Sequence, residues 1–347
     1  MAASNNKKTF ARTLTLSAIA ATVLAACDSG PATIALSDRC TVATQITNNT
    51  AAATASVSGS LSSMVTSGTA VRYELVTAPS NGSLSIGATS GGYLYTTAST
   101  SRGFSDSFSV RAIGAEGNVA TATYTVIFGN RRIMPLGDSI TFGVTSYNGT
   151  ADFPTAPTAV GYRKALYDRL IAGGYAIDFV GDLSAGASAN LDDTDHSGIP
   201  GDTTADINGR VATTLTSEPA DVILLHAGTN GATDASGIND ILTTIQSWSS
   251  VPTNPSADTL VARIVPSPLS ATNTRINGFN TDLDIVMSTS WPSLTVVDMN
   301  SALNASTDMT SAFVDLPGVH PNASGYAKMA DQWFNALTNN GKVNRCS

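Results

Sequence analysis

The sequence predicts an α/β protein, a parallel sheet between two layers of helices, preceded by an all-β sandwich. Three observations carry this. From about residue 42 to 129 apolar and polar residues alternate in short runs separated by turn residues. After Gly129-Asn130 the pattern switches to short, continuous apolar runs with amphipathic stretches between them. The groups suited to nucleophilic chemistry then fall directly after those runs, where α/β sheets bind ligands.

Residues 1–26 read as a targeting segment. Lys7, Lys8 and Arg12 precede an apolar stretch from Leu14 to Ala26, shorter than the roughly 20 residues a spanning helix needs. The stretch runs into Leu24-Ala25-Ala26-Cys27, which resembles the lipobox of bacterial lipoproteins. That resemblance implies cleavage before Cys27, lipidation at Cys27 and a membrane-anchored, exported protein. An ordinary secretory peptide is the alternative.

Residues 27–41 are small and polar and read as a linker. An exported chain meets oxidising conditions, so Cys40 and Cys346 are expected to form a disulfide, two unpaired thiols being the alternative. Within 42–129, the segments 70–76, 92–95, 107–113 and 122–127 read as strands, with turns at Pro79-Ser80-Asn81-Gly82 and at 114–118. This run resembles bacterial cadherin-like and Ig-like modules. Tyr93 and Tyr95 fall on one sheet face, where packing is the commoner use of tyrosine, so a spacer is favoured over a sugar-binding platform.

In 130–347 the strands are expected at 133–136, 176–180, 222–226, 260–265 and 294–297, with helices covering 162–171, 238–248, 276–287 and 323–337. The net charge of −8 disfavours a nucleic-acid partner. Only 13% of residues are charged, and neutral polymers fit that surface better.

Three motifs carry chemistry. Gly137-Asp138-Ser139 follows the first strand of the α/β region, placing a hydroxyl at the mouth of the sheet. Gly228-Thr229-Asn230 follows another strand, where an amide NH₂ can donate to an oxyanion. His320-Pro321-Asn322 sits in a polar loop before a helix, and His320 is the best placed of three histidines to act as a base near neutral pH. His226, at the end of an apolar strand, reads as a hydrogen-bonded core residue.

Together with a glycine in the 198–201 region, these motifs match in order the four blocks of SGNH (GDSL-like) hydrolases, which have a flavodoxin-like three-layer α/β/α fold. The segments 132–141, Gly161-Tyr162-Arg163, Asp178-Phe179-Val180-Gly181 and His196-Ser197-Gly198 resemble carbohydrate esterase family three, the acetylxylan esterases. The resemblance implies Ser139 as nucleophile, His320 as base, and an oxyanion hole from Ser139 N–H, a glycine N–H and Asn230. It implies no metal and no organic cofactor, and an ester substrate, an acetylated polysaccharide such as xylan.

Gly201 is preferred over Gly198 because Asp202 and Thr203 can open a helix there. Gly231 stands where the family commonly has aspartate. The family's triad aspartate falls three positions before the histidine, which is Pro317 here, so Asp315 or a backbone carbonyl must orient His320. The competing readings are a lipolytic acylhydrolase (lysophospholipase or thioesterase) and a non-catalytic surface adhesion protein.

Overall fold

The computed structural model describes residues 33–43, 55–97, 104–145, 156–310 and 318–345. The targeting segment with Cys27, and Asp315, Pro317 and Cys346, lie outside the described residues.

The N-terminal region contains β1 (Ala35–Leu36), β2 (Arg39–Ala43), β3 (Ala55–Ser60), β4 (Val65–Ser67), β5 (Ala70–Thr77), β6 (Gly82–Ile86), β7 (Gly92–Thr97), β8 (Phe104–Gly114) and β9 (Val119–Phe128). They form a four-stranded sheet in the order β2-β9-β8-β5, a three-stranded sheet β3-β7-β6 and the pair β1-β4. The expected strands at 70–76, 92–95, 107–113 and 122–127 all fall within observed ones. The linker expectation is corrected: β1 and β2 lie inside residues 27–41 or straddle their end, and β2 runs parallel to β9 from Arg39 to Ala43. This pairing is made over some 80 residues of chain, so no local alternation announces it.

Tyr73, Tyr93, Tyr95, Phe108, Val110, Tyr124 and Val126, drawn from both larger sheets, share one buried cluster. Both Tyr93 and Tyr95 are buried, in keeping with packing as their role. The Phe108 and Tyr124 rings stack at 5.3 Å.

The second region is the α/β layer structure. Its strands are β10 (Arg131–Gly137), β11 (Ile177–Phe179), β12 (Leu183–Ser184), β13 (Asp195–Gly198), β14 (Val222–His226), β15 (Asp258–Arg263) and β16 (Thr295–Asp298). Its helices are α1 (Ser139–Phe142), α2 (Arg163–Ala172), α3 (Thr204–Ser217), α4 (Ser236–Ser249), α5 (Ser270–Ser290), α6 (Met299–Ala302) and α7 (Ala323–Asn339). The sheet order is β12-β13-β10-β14-β15-β16, with β11 also on β10. β11 pairs with residues 131–133 of β10 and β13 with residues 136–137, so the two occupy successive lengths of one edge. All pairings are parallel except β12 with β13, which makes the sheet mixed where a parallel one was expected.

Alternate residues along each central strand serve opposite cores. Ile133, Val222, Leu224 and Leu260 pack with α2 and α7, against Leu166, Leu170 and Trp333. Met134, Ile223, Leu225 and Val261 pack with α3, α4 and α5, against Val211, Ile241 and Leu283. Strands buried on both faces are the reason these segments read as continuous apolar runs. The arrangement brings the carboxyl ends of β10, β13 and β14 side by side.

Candidate active site

Ser139 sits at the carboxyl end of the central strand β10. Asp138 caps the single turn α1, its Oδ1 accepting the Ile140 N–H at 3.0 Å, and this turns the chain sharply after Gly137. The Ser139 Oγ lies 2.9 Å from His320 Nε2, and the two residues are only 3% and 4% exposed. A hydroxyl and an imidazole nitrogen brought together across 181 positions of sequence, in a buried setting, form a nucleophile–base pair of the required reach.

The loop that carries His320 is held from both sides. The His320 carbonyl accepts the Thr310 N–H at 2.9 Å, and the Asn322 N–H donates to the Asp308 carbonyl at 2.9 Å. The Asn322 side chain caps α7 by accepting from Ser324 and Gly325 N–H, and its NH₂ donates to Thr307 and Met309 carbonyls. Asp308 itself is buried and accepts from Asn304 N–H, Ser324 Oγ and Lys328 Nζ. Lys328 foremost among these holds the Asp308 carboxyl below the usual carboxylate range. The sequence reading did not single out Asp308.

On the other side of Ser139 lie the two glycines expected as alternatives. The Gly198 N–H is taken up by His196 Nδ1 at 3.0 Å. Gly201 adopts φ +91°, a left-handed conformation suited to glycine, with open space beside its Cα. The next residue, Asp202, accepts the Asn230 amide at its carbonyl, Nδ2 to O being 2.9 Å. Thr203 and Asp206 then form a reciprocal capping box that starts α3. The structure therefore brings Gly201 and Asn230 together, and leaves Gly198 within the β13 framework.

Three arginines brace this geometry, none of which sequence reasoning assigned a role. Arg163, wholly buried, donates to the carbonyls of Thr141, Phe142, Ala159, Ala185 and Thr194. Arg210 donates to Asp202 Oδ2 at 2.8 Å and to the carbonyls of Gly137 and Ser197 at 3.1 Å, tying the Ser139 turn to the Gly201 loop. Arg275 donates to Thr229 and Ala232 carbonyls, both at 2.8 Å, and so fixes the backbone on either side of Asn230. Only the Gly161-Tyr162-Arg163 motif gave a signal for the first of these.

Burial dominates the electrostatics. It pushes the Asp138 carboxyl up to about 6, against the opposing Ile140 N–H and the neighbouring His320. Asp138 Oδ2 and the Thr229 hydroxyl are buried without a well-formed hydrogen bond among the described residues. Burial, with the nearby charges of Arg163 and Arg210, lowers His196 to about 3, so His196 is neutral and its Nδ1 is able to accept. Burial likewise lowers His226 to about 4. His226 is a core residue, but neither ring nitrogen meets a hydrogen-bond partner among the described residues, which corrects that part of the expectation. A cavity of about 340 Å³ lies between the residues that follow α1, the first turns of α2 and those of α7, the helix entered just after His320, and another of about 360 Å³ borders the Asn230 loop. Cys40 is disulfide-bonded.

Known proteins resemble about three fifths of the chain. A multidomain esterase of Ruminococcus flavefaciens is 27% identical over 245 residues, which cover 60% of this chain and 28% of the relative. The chain thus spans less than a third of that relative's length. A family 3 carbohydrate esterase of Clostridium thermocellum is 25% identical, the match covering 61% of this chain and 98% of that one, with a TM-score of 0.49. A lipase/acylhydrolase of Enterococcus faecalis is 20% identical, covering 62% and 98%, with a TM-score of 0.45. The family model of the GDSL-like lipase/acylhydrolases matches residues 136–328, a span that holds Ser139, Gly201, Asn230 and His320, and the chain belongs to that family.

Proposed function

We propose that this protein is a serine esterase that removes short acyl groups, acetyl above all, from polysaccharides such as acetylated xylan. The observation that carries the catalytic part is the 2.9 Å approach of Ser139 Oγ to His320 Nε2 at the carboxyl end of the sheet. In this reading Ser139 Oγ attacks the ester carbonyl carbon as His320 Nε2 takes its proton. The oxyanion that forms accepts from Ser139 N–H, Gly201 N–H and the Asn230 amide. Return of the proton from His320 to the leaving sugar oxygen breaks the ester bond and leaves an acyl-enzyme. Water, deprotonated by His320, then releases the acid. The engaged N–H of Gly198 supports Gly201 as the glycine donor. Asp315 is assigned as the group that orients His320, in keeping with its place in the sequence.

The polar lining of the cavity beside Asn230 and the motifs shared with carbohydrate esterases favour a saccharide substrate. The export signal, lipidation at Cys27 and a Cys40–Cys346 bridge complete the reading: an envelope-anchored enzyme with the N-terminal sheets as its spacer.

One observation favours a second reading. The cavity between α2 and α7 is lined largely by small and apolar groups, among them Gly143, Val160, Ala165, Ala323 and Tyr326, which suits the acyl chain of a lipolytic substrate.

Acyl release from acetylated xylan, 4-nitrophenyl acetate and a long-chain 4-nitrophenyl ester, by wild type beside Ser139→Ala, separates the two. Serine-dependent acetate release from xylan is expected. A strong preference for the long chain would move the assignment to a lipolytic enzyme. No serine-dependent hydrolysis of any ester would remove the enzymatic reading, leaving the adhesion protein.

A further inference from the structure

The cavity of about 360 Å³ beside the Asn230 loop falls in the ~300–1,000 Å³ range of small-molecule sites. Its walls are the first turns of α3 and α4 and the segment from Gly231 to Ser236 that joins β14 to α4. Where α3 and α4 meet, a Cβ on Gly237 would stand 2.2 Å from Thr204 Oγ1, so the two helices are in direct contact at the cavity and its floor is fixed. Gly231 directly follows Asn230, and Thr204 lies two residues after Asp202, whose carbonyl holds the Asn230 amide. The cavity therefore borders the loop that carries Asn230 and the start of the helix that follows Asp202, the two segments that meet at the Asn230 amide.

Its polar groups are oriented but not consumed. Asn208 Oδ1 accepts from the Thr244 hydroxyl at 2.7 Å, which sets the amide plane and leaves its NH₂ to donate. Asp234 accepts the Ser236 N–H at Oδ1, 2.9 Å away, and the Ser236 hydroxyl, which orient the carboxylate while its remaining lone pairs can still accept. Asp240 and Thr233 line the same space and are exposed. None of the lining residues carries a positive charge, and two carry carboxylates, a field that repels phosphate and uronate groups. Among the described residues no third His, Cys, Asp or Glu joins them into a metal-binding group. Carboxylate, amide and hydroxyl groups set around a fixed floor match the hydroxyls of an uncharged sugar, each of which both donates and accepts.

We propose that this cavity is a subsite for a neutral sugar ring of the substrate chain, adjacent to the acylated residue at Ser139, with Asp240, Asp234 and Asn208 as its hydrogen-bonding groups. The proposal rests on the polysaccharide reading above and gives that reading a location.

The test compares wild type, Asp240→Ala and Ala205→Trp, the last placing an indole from an exposed position into the cavity. The substrates are acetylated xylotriose and 4-nitrophenyl acetate, the second too small to reach the subsite and also a check that each variant is folded. Losing one hydrogen bond from a charged group is expected to lower the ratio of kcat/KM for the trisaccharide to that for the nitrophenyl ester by about tenfold, through KM. Filling the cavity is expected to lower it at least as far. A ratio within about twofold of wild type in either variant overturns the subsite. Wild type that hydrolyses the nitrophenyl ester through Ser139 but frees no acetate from the trisaccharide overturns the polysaccharide reading itself, and the subsite with it.

Discussion

Two buried aspartates, one in each region of the molecule, meet opposite fates. Asp106 lies in the N-terminal sheets and is 7% exposed, while Asp138 precedes Ser139 and is wholly buried. Burial alone would raise both. Asp106 nevertheless stays below the usual carboxylate range, because the N–H groups of Asn81, Ser80 and Ser107 and the Tyr95 hydroxyl all donate to it. Asp138 receives the Ile140 N–H and no second well-formed bond among the described residues, and it rises to about 6. In the same sheets Tyr93 donates to Tyr124 at 2.7 Å, and Tyr124 is also bonded to Thr41. The N-terminal sheets thus supply this buried carboxylate with a full set of donors. The ends of the α/β strands keep polar groups unspent, as expected where a substrate is to be met.

The sharpest way to break this comparison is to remove one group from each kind of setting. His320→Ala should lower kcat/KM for 4-nitrophenyl acetate by about 10³-fold or more with little change in melting temperature. A variant that keeps a tenth of wild-type turnover would show that His320 is not the base. Arg163→Met should be the most damaging to stability, costing about 3–5 kcal/mol by urea denaturation, because five carbonyls lose a common donor. A loss below 1 kcal/mol would mean that water replaces the guanidinium without difficulty.

Asp106→Ala leaves the part-buried N–H groups of Ser80 and Asn81 and the buried Tyr95 hydroxyl without their acceptor, and should cost about 1–3 kcal/mol while leaving ester turnover per folded molecule unchanged. Asp138→Asn should act in the opposite direction. Because the folded-state value lies above the unfolded one, the native state is penalised as pH rises from about 4 through about 6, and the penalty is constant above that. The asparagine variant should therefore gain roughly 1–3 kcal/mol over wild type at pH 8 and nothing at pH 4. An equal difference at both pH values would count against a buried, raised carboxyl.

How far the sequence reaches differs between the regions for physical reasons. Strands buried on both faces are locally legible, and β14 is observed at the bounds expected, Val222–His226. Helix α3 shows in the sequence only as a start at Asp202 and Thr203, its extent hidden because ten of its fourteen residues are hydroxylic, small or charged. Its signal was nonetheless present: Ile207, Val211 and Leu215 recur every fourth residue behind the Thr203–Asp206 cap. Helix α5 begins at Ser270, six residues before the expected start, because its first turns are polar and only the later ones enter the core. β13, the tetrapeptide Asp195–Gly198, is polar and is a strand because β10 and β12 lie beside it.

The site divides in the same way. Ser139, Asn230 and His320 were legible because each motif stands at a strand end or a helix start. The choice of Gly201 over Gly198 depends on an imidazole accepting one N–H, which spacing cannot reveal. Arg275, and Arg210 apart from its bonds to Asp202 and Ser197 side chains, were illegible because their partners are backbone carbonyls, and every residue has one.

The central claim is that Ser139 is a nucleophile activated by His320. The most direct measurement is intact-mass and peptide mass spectrometry after exposure to a fluorophosphonate ester, for wild type, Ser139→Ala and His320→Ala. The account predicts a single phosphonyl adduct on Ser139 in wild type, none in Ser139→Ala, and greatly slowed labelling in His320→Ala. Wild-type protein that hydrolyses esters yet carries its adduct on another residue, or labels equally fast without His320, would contradict it.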